Sequence, residues 1–354
     1  MIIFNFFSQK KNFSQIPFYY RSSASSQGQL RLISHGESPH SAGPVFCVYL
    51  FKSALFCFYF PHAVSALWTL AIIFRVSITG IEMREKEKKN LTVLAAAAHP
   101  DDIEFMMAGT LLLLKRAGAE IHFFMLANGS CGTDEYSREE IILMRREEAQ
   151  ASAREAGAHL FPPLVDDIQI FYEPFLLAKV AAVIRESKPD IMLVPSPDDY
   201  MEDHQNACRL LATAAFVRGM PNYRTDPPLP PWNGQTVLYH AMPHGLSDSL
   251  RRQVRPGQYV NIGSVLERKR KMLSLHRTQK EWLDKSQGID AYLRLMETFS
   301  REVGALSGRF DYAEGFRRRA HWGYGPADYD PLSHLLGDLC WTDPDYEKSL
   351  HSLW

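Results

Sequence analysis

The chain has almost no excess of charge of either sign: Lys and Arg number 39 against 40 Asp and Glu, a formal net charge of -1 over 354 residues. A general nucleic-acid binder presents a basic surface, so that class is excluded. Cysteine is scarce, with five residues (Cys47, Cys57, Cys131, Cys208 and Cys340), odd in number, scattered and without a CxxC pair. Neither a disulfide framework nor a thiolate zinc site is expected, and a reducing, cytoplasmic setting is the simplest. No internal repeat or low-complexity tract is present. Nor does the chain lack core material: 46% of its residues are hydrophobic and 22% charged, which excludes global disorder.

Carboxylates are nearly missing from the first part of the chain, where residues 1–82 contain only Glu37 and Glu82. This stretch is rich in Phe, Tyr and Ser and shows no regular apolar period. Within it, residues 53–74 carry no formal charge, a length that can cross a bilayer core of about 30 Å at roughly 1.5 Å per residue. Pro61 and His62 interrupt the run. Two readings stay open: sequence upstream of the working protein, or a membrane anchor, with membrane association only through 53–74. The basic residues that follow (Arg75, Arg84, Lys86, Lys88, Lys89) would then keep the downstream domain cytoplasmic. The expected organisation is an extension over 1–82, a catalytic domain over 83–324 and a peripheral tail over 325–354.

After Met83, apolar runs of strand length alternate with helical patterns, the signature of βαβ units and a mostly parallel sheet. Strands are expected at 91–98, 121–127, 190–195 and 236–240, with helices at 103–117, 137–156, 174–187, 204–217, 265–279 and 288–303. Ser137 with Glu140 forms a capping box, and Gly118 and Gly157 end two of the helices.

In such a sheet, ligands bind beyond the carboxyl ends of the strands. Two clusters fall there. His99, Pro100, Asp101 and Asp102 follow the first strand, with Glu104 one step on. Asp198 to His204 (DDYMEDH) follow the strand ending at Pro195. Each loop alone also fits a plain role, since a His-Pro-Asp turn serves as a helix N-cap. Together they offer two imidazoles and a carboxylate, the composition of a catalytic zinc site with a coordination position left for water. A dinucleotide site fails, because HPDD stands where G-x-G-x-x-G would be needed.

These residues resemble the zinc-dependent de-N-acetylases related to the enzyme acting on N-acetylglucosaminyl-phosphatidylinositol, together with the LmbE-like (PIG-L) deacetylases. The resemblance rests on AHPDDIE at 98–104, NGSCGT at 128–133, RREEA at 145–149, DYMEDH at 199–204, LHRTQ at 275–279 and YAEGF at 312–316. It implies a Rossmann-like three-layer α/β fold with the metal site at the strand ends. It also implies Zn2+ held by His99, Asp102 and His204, with Asp101 as general base. The implied activity is hydrolysis of the acetamide of an N-acetylglucosamine-type sugar or glycoconjugate by a metal-bound water. Arg145 and Glu104 are expected near the substrate, Glu104 being equally able to complement its helix N-terminus, and Asp203 is expected to hold His204 or cap its helix. Two departures stand out. Met201 replaces a His that in many relatives assists the oxyanion, which makes His240 or His244 the candidate substitutes, and Ser130 replaces a loop Glu. A non-catalytic carbohydrate-binding protein on the same scaffold is the alternative.

Overall fold

A computed structural model describes residues 90–287 and 291–350. The extension and its uncharged segment lie outside the described residues. Among the described residues, no helix is long and apolar enough to cross a membrane.

The first strand, β1 (Thr92–Ala97), is buried along its whole length. Its side chains alternate between two apolar layers, Val93, Ala95 and Ala97 facing one and Leu94, Ala96 and Ala98 the other. An uninterrupted apolar run is what a strand covered on both faces requires. Around β1 the sheet continues with β2 (Glu120–Met125), β3 (His159–Phe161), β4 (Ile191–Val194), β5 (Val237–Ala241), β6 (Gln258–Asn261), β7 (Ala313–Arg318) and β8 (Cys340–Thr342). The spatial order of the eight strands is β3-β2-β1-β4-β5-β7-β6-β8. β3 through β5 in that order are parallel, and β7, β6 and β8 extend the sheet antiparallel. The mostly parallel, three-layer α/β architecture is therefore present.

The helix expected over 103–117 is two helices, α1 (Asp102–Met106) and α2 (Ala108–Arg116), broken at Met107. The cause lies far along the chain. Glu314 on β7 accepts hydrogen bonds from the Gly109 and Thr110 backbone N–H groups (2.8 and 2.7 Å), capping α2. The same carboxylate takes the buried Lys269 ammonium at 2.7 Å. Gly109 is required for this approach, since a Cβ there would press on Ile262 and Glu314. Removing one member of a buried ion pair costs about 3–5 kcal/mol. Glu314→Ala, which strands Lys269 and two N–H groups, is expected at that level. Lys269→Met, which leaves Glu314 on the helix N-terminus, should cost clearly less, as read by denaturant unfolding.

The capping box opens α3 (Arg138–Ala156), and Gly157 ends it in the left-handed region at φ 66. α4 (Pro174–Ser187) and α5 (Glu202–Val217) cover the opposite face of the sheet. The helix expected over 265–279 divides into α6 (Leu266–Ser274) and α7 (Arg277–Gln287), with α8 (Ala291–Ser307) following. The residues after 325, expected as a peripheral tail, supply β8 and buried Leu332, and Asp330 there accepts the Tyr239 hydroxyl at 2.6 Å.

Candidate metal centre

β1 and β4 are neighbours, yet the chain leaves β1 toward β2 on one side and β4 toward β5 on the other. Their carboxyl ends therefore flank the crevice where open α/β sheets take ligands. His99, Asp101 and Asp102 come from the β1 end, and His204 from the first turn of α5.

Potential ligand atoms of His99, Asp102 and His204 all lie within 4.8 Å of one another. His204 Nε2 is 3.4 Å from Asp102 Oδ1, and His99 Nδ1 is 3.6 Å from Asp102 Oδ2. The opposite nitrogen of each ring is held by a carboxylate. His99 Nε2 donates to Asp203 Oδ2 at 2.9 Å and His204 Nδ1 to Asp199 Oδ1 at 3.0 Å. Asp203 thus holds His99, where the sequence offered His204 or a helix cap as its role. It is Asp199 that holds His204, and its other oxygen accepts the His244 backbone N–H at 3.3 Å. Carboxylates behind the imidazoles fix ring orientation and leave one nitrogen per ring for a metal. Burial alone would lower the His99 pKa, but the neighbouring Asp102 and Asp203 carboxylates outweigh it and lift the pKa to about 9. Burial likewise opposes ionisation of Asp102, and the two imidazoles overcome it, holding its carboxyl well below the usual range. Two imidazoles and a carboxylate converging at the strand ends are a donor set suited to a divalent cation such as zinc.

Asp203 has a further duty: Oδ2 also accepts the Ile168 N–H at 2.7 Å. Ile168 sits at φ 63, a conformation that β-branched residues seldom adopt. The strained turn and the His99 imidazole therefore hang on one carboxylate.

Asp101 also has a left-handed backbone, φ 104, and its carboxyl is buried beside the donor set. Burial is the main influence on it and raises its pKa, with the Arg145 guanidinium opposing. Arg145 is buried rather than solvated. Its Nη2 donates to the Pro100 carbonyl at 2.7 Å and lies 3.6 Å from Asp101 Oδ1, and its Nη1 donates to Gln279. The NGSCGT loop closes over it: a Cβ on Gly129 or Gly132 would run into the Arg145 side chain. Asp167 grips that loop by accepting the Gly129 and Cys131 N–H groups at 2.7 and 2.9 Å.

Glu104 is not where a substrate group would be. It is fully buried behind the site, accepts the Ser152 hydroxyl at 2.5 Å and lies 3.2 Å from His276 Nε2. RREEA and LHRTQ meet here as well, since Glu148 accepts both the Thr278 N–H (3.0 Å) and its hydroxyl (2.8 Å). These motifs form the buried wall behind Asp101.

A cavity of about 420 Å³ opens over the donor set, and His99, Asp101, Asp102, His204, Arg145, Met201 and His244 line it. His240 does not. It lies inside β5, where Nδ1 donates to the Pro195 carbonyl at 2.9 Å with Cys208 Sγ at 3.5 Å, and burial pushes its pKa down to about 4. His244, three residues past the strand's carboxyl end, reaches the cavity among Phe105, Tyr200 and Phe299, and burial lowers its pKa too. Trp282 of α7 and Tyr292 of α8 also line the cavity, and sequence reasoning missed both. Neither stands in a strand-end loop, so no local signal marked them.

The profile of the PIG-L family, GlcNAc-PI de-N-acetylase, matches residues 94–216. A diacetylchitobiose deacetylase of Thermococcus kodakarensis is 30% identical over 232 residues, covering 64% of this chain and 82% of the relative. Among solved structures, the N,N'-diacetylchitobiose deacetylase from Pyrococcus horikoshii superposes with a TM-score of 0.57 at 24% identity, covering 69% of this chain and 90% of that one. The 4-carboxy-2-hydroxymuconate hydratase GalB from Pseudomonas putida superposes at 0.54 with 23% identity, over 64% and 95% of the two chains. Since the fold also carries a hydratase, fold alone does not select the reaction.

Proposed function

The chain belongs to the PIG-L de-N-acetylase family, and on that premise we propose that it is a zinc-dependent hydrolase. Its reaction removes the acetyl group from the amide nitrogen of an N-acetylglucosamine-type sugar, giving acetate and a free amine. One observation carries this reading: the convergence of His99, Asp102 and His204 beside a carboxyl outside that set, Asp101, on the wall of a cavity.

His99, Asp102 and His204 would hold the ion, with Asp203 and Asp199 keeping the two imidazoles in place. When bound, zinc supplies Lewis-acid polarisation and acidifies a water. Asp101 takes the proton of the attacking water and passes it to the leaving nitrogen as the C–N bond breaks. Its burial raises its basicity, and the nearby Arg145 stabilises its charged form. Met201 has no donor for the oxyanion, so that duty falls to His244, the one of the two candidate histidines that lines the cavity. Loss of an oxyanion donor costs roughly 10²–10³ in rate. His244→Ala is therefore expected to lower kcat at least about tenfold with KM and zinc content kept. His240→Ala should lower the melting temperature and leave kcat near the parent value.

The test is a panel of N-acetylated mono- and disaccharides offered to the zinc-loaded protein, with acetate and free amine both quantified. Release of the two in equal amounts supports the reading. Saturable sugar binding without release would favour a carbohydrate-binding protein instead.

A further inference from the structure

Tyr292 stands 191 residues from Asp101 in the chain, and its hydroxyl donates to Asp101 Oδ2 at 2.5 Å. Its phenol is buried, and its ring is fixed by a tilted contact with Phe105, whose centroid is 5.5 Å away. Phe105 in turn packs on Phe299 and His244 at 5.7 and 5.1 Å. The hydroxyl is thus held at one place by a cluster of rings. Asp101, by contrast, has little local restraint. It sits in the left-handed region at the entrance to a helix of one turn and caps nothing with its side chain. Arg145 lies 3.6 Å from Oδ1, too far for a hydrogen bond.

We infer that Tyr292 is a positioning residue for the reaction proposed above: its hydroxyl pins Oδ2 of Asp101, fixing the plane of the carboxylate so that Oδ1 is the oxygen that takes and returns the proton. The inference rests on Asp101 being the base. Orientation of a reacting group is worth much of an enzyme's rate, and a displacement of about 1 Å can cost 100-fold. A carboxylate free to rotate presents either oxygen at a range of angles, which lowers the fraction aligned with the water. Substrate and metal are held by other groups, so their binding is spared.

The experiment compares the zinc-loaded parent, Tyr292→Phe, Asp101→Asn and the double variant, with kcat, KM, zinc content and melting temperature measured on each. Tyr292→Phe keeps the ring and its contact with Phe105 while removing only the hydroxyl. The expected result is a fall in kcat of roughly 10- to 100-fold with KM and zinc unchanged. In the Asp101→Asn background the same change should have no further effect, because an amide there no longer uses the pinned geometry. Parent-like kcat in Tyr292→Phe, a loss of zinc that explains its fall in rate, or an undiminished effect in the Asp101→Asn background would each overturn the inference while leaving the deacetylase reading intact. A parent that releases no acetate overturns that reading itself, and this one with it.

Discussion

Asp101→Asn is expected to retain its zinc and lose about 10²–10⁴-fold in kcat, the usual worth of a general base. The amide is nearly isosteric and can still accept the Tyr292 hydroxyl, and it removes a buried carboxyl whose ionisation burial disfavours. Against that gain, the buried Arg145 guanidinium loses its counter-charge, so a modest fall in melting temperature with the fold kept is expected. What the variant lacks is an oxygen able to take a proton at neutral pH. Paired assays of acetate release and thermal melting check both parts, and parent-like turnover would remove Asp101 from the mechanism.

The second large effect concerns the donor set. His99→Ala and His204→Ala should each abolish stoichiometric zinc, measured by elemental analysis after dialysis, along with all detectable acetate release. Of three ligands whose donor atoms lie within 4.8 Å, removal of one leaves two, too few to hold the ion against buffer. Asp199→Asn and Asp203→Asn should fall between these variants and the parent. Each removes the charge behind an imidazole and not a ligand, a change typically worth about 10–100-fold in metal affinity. Asp203→Asn carries a second consequence, because the Ile168 N–H shares its oxygen and the strained turn at Ile168 loosens with it. Equal zinc affinity in all four variants would mean that the ion, if one binds, sits elsewhere.

The donor set was legible because it is local. His99 and Asp102 stand in one turn directly after an unbroken apolar strand, and His204 stands ten residues beyond the end of another, at the start of the next helix. The antiparallel half of the sheet was not. β6 has four residues and β8 three, too short to show alternation, and AEGFRR on β7 follows no period of two. The break at Met107 was equally hidden, since the carboxylate that imposes it comes from Glu314.

The sequence by itself determined the α/β class and the two loops that carry the candidate donors, since strand-end position and hydrophobic period are properties of contiguous residues, while its motifs carried the family resemblance. Tertiary structure alone decided which carboxylate serves which imidazole, that His244 and not His240 reaches the cavity, that Glu104 backs His276 instead of meeting substrate, and that Tyr292 touches Asp101. Most of these are contacts between side chains far apart in the chain, and their geometry is set by the packing of helices against the sheet. Such contacts leave no periodic trace in either partner's own segment.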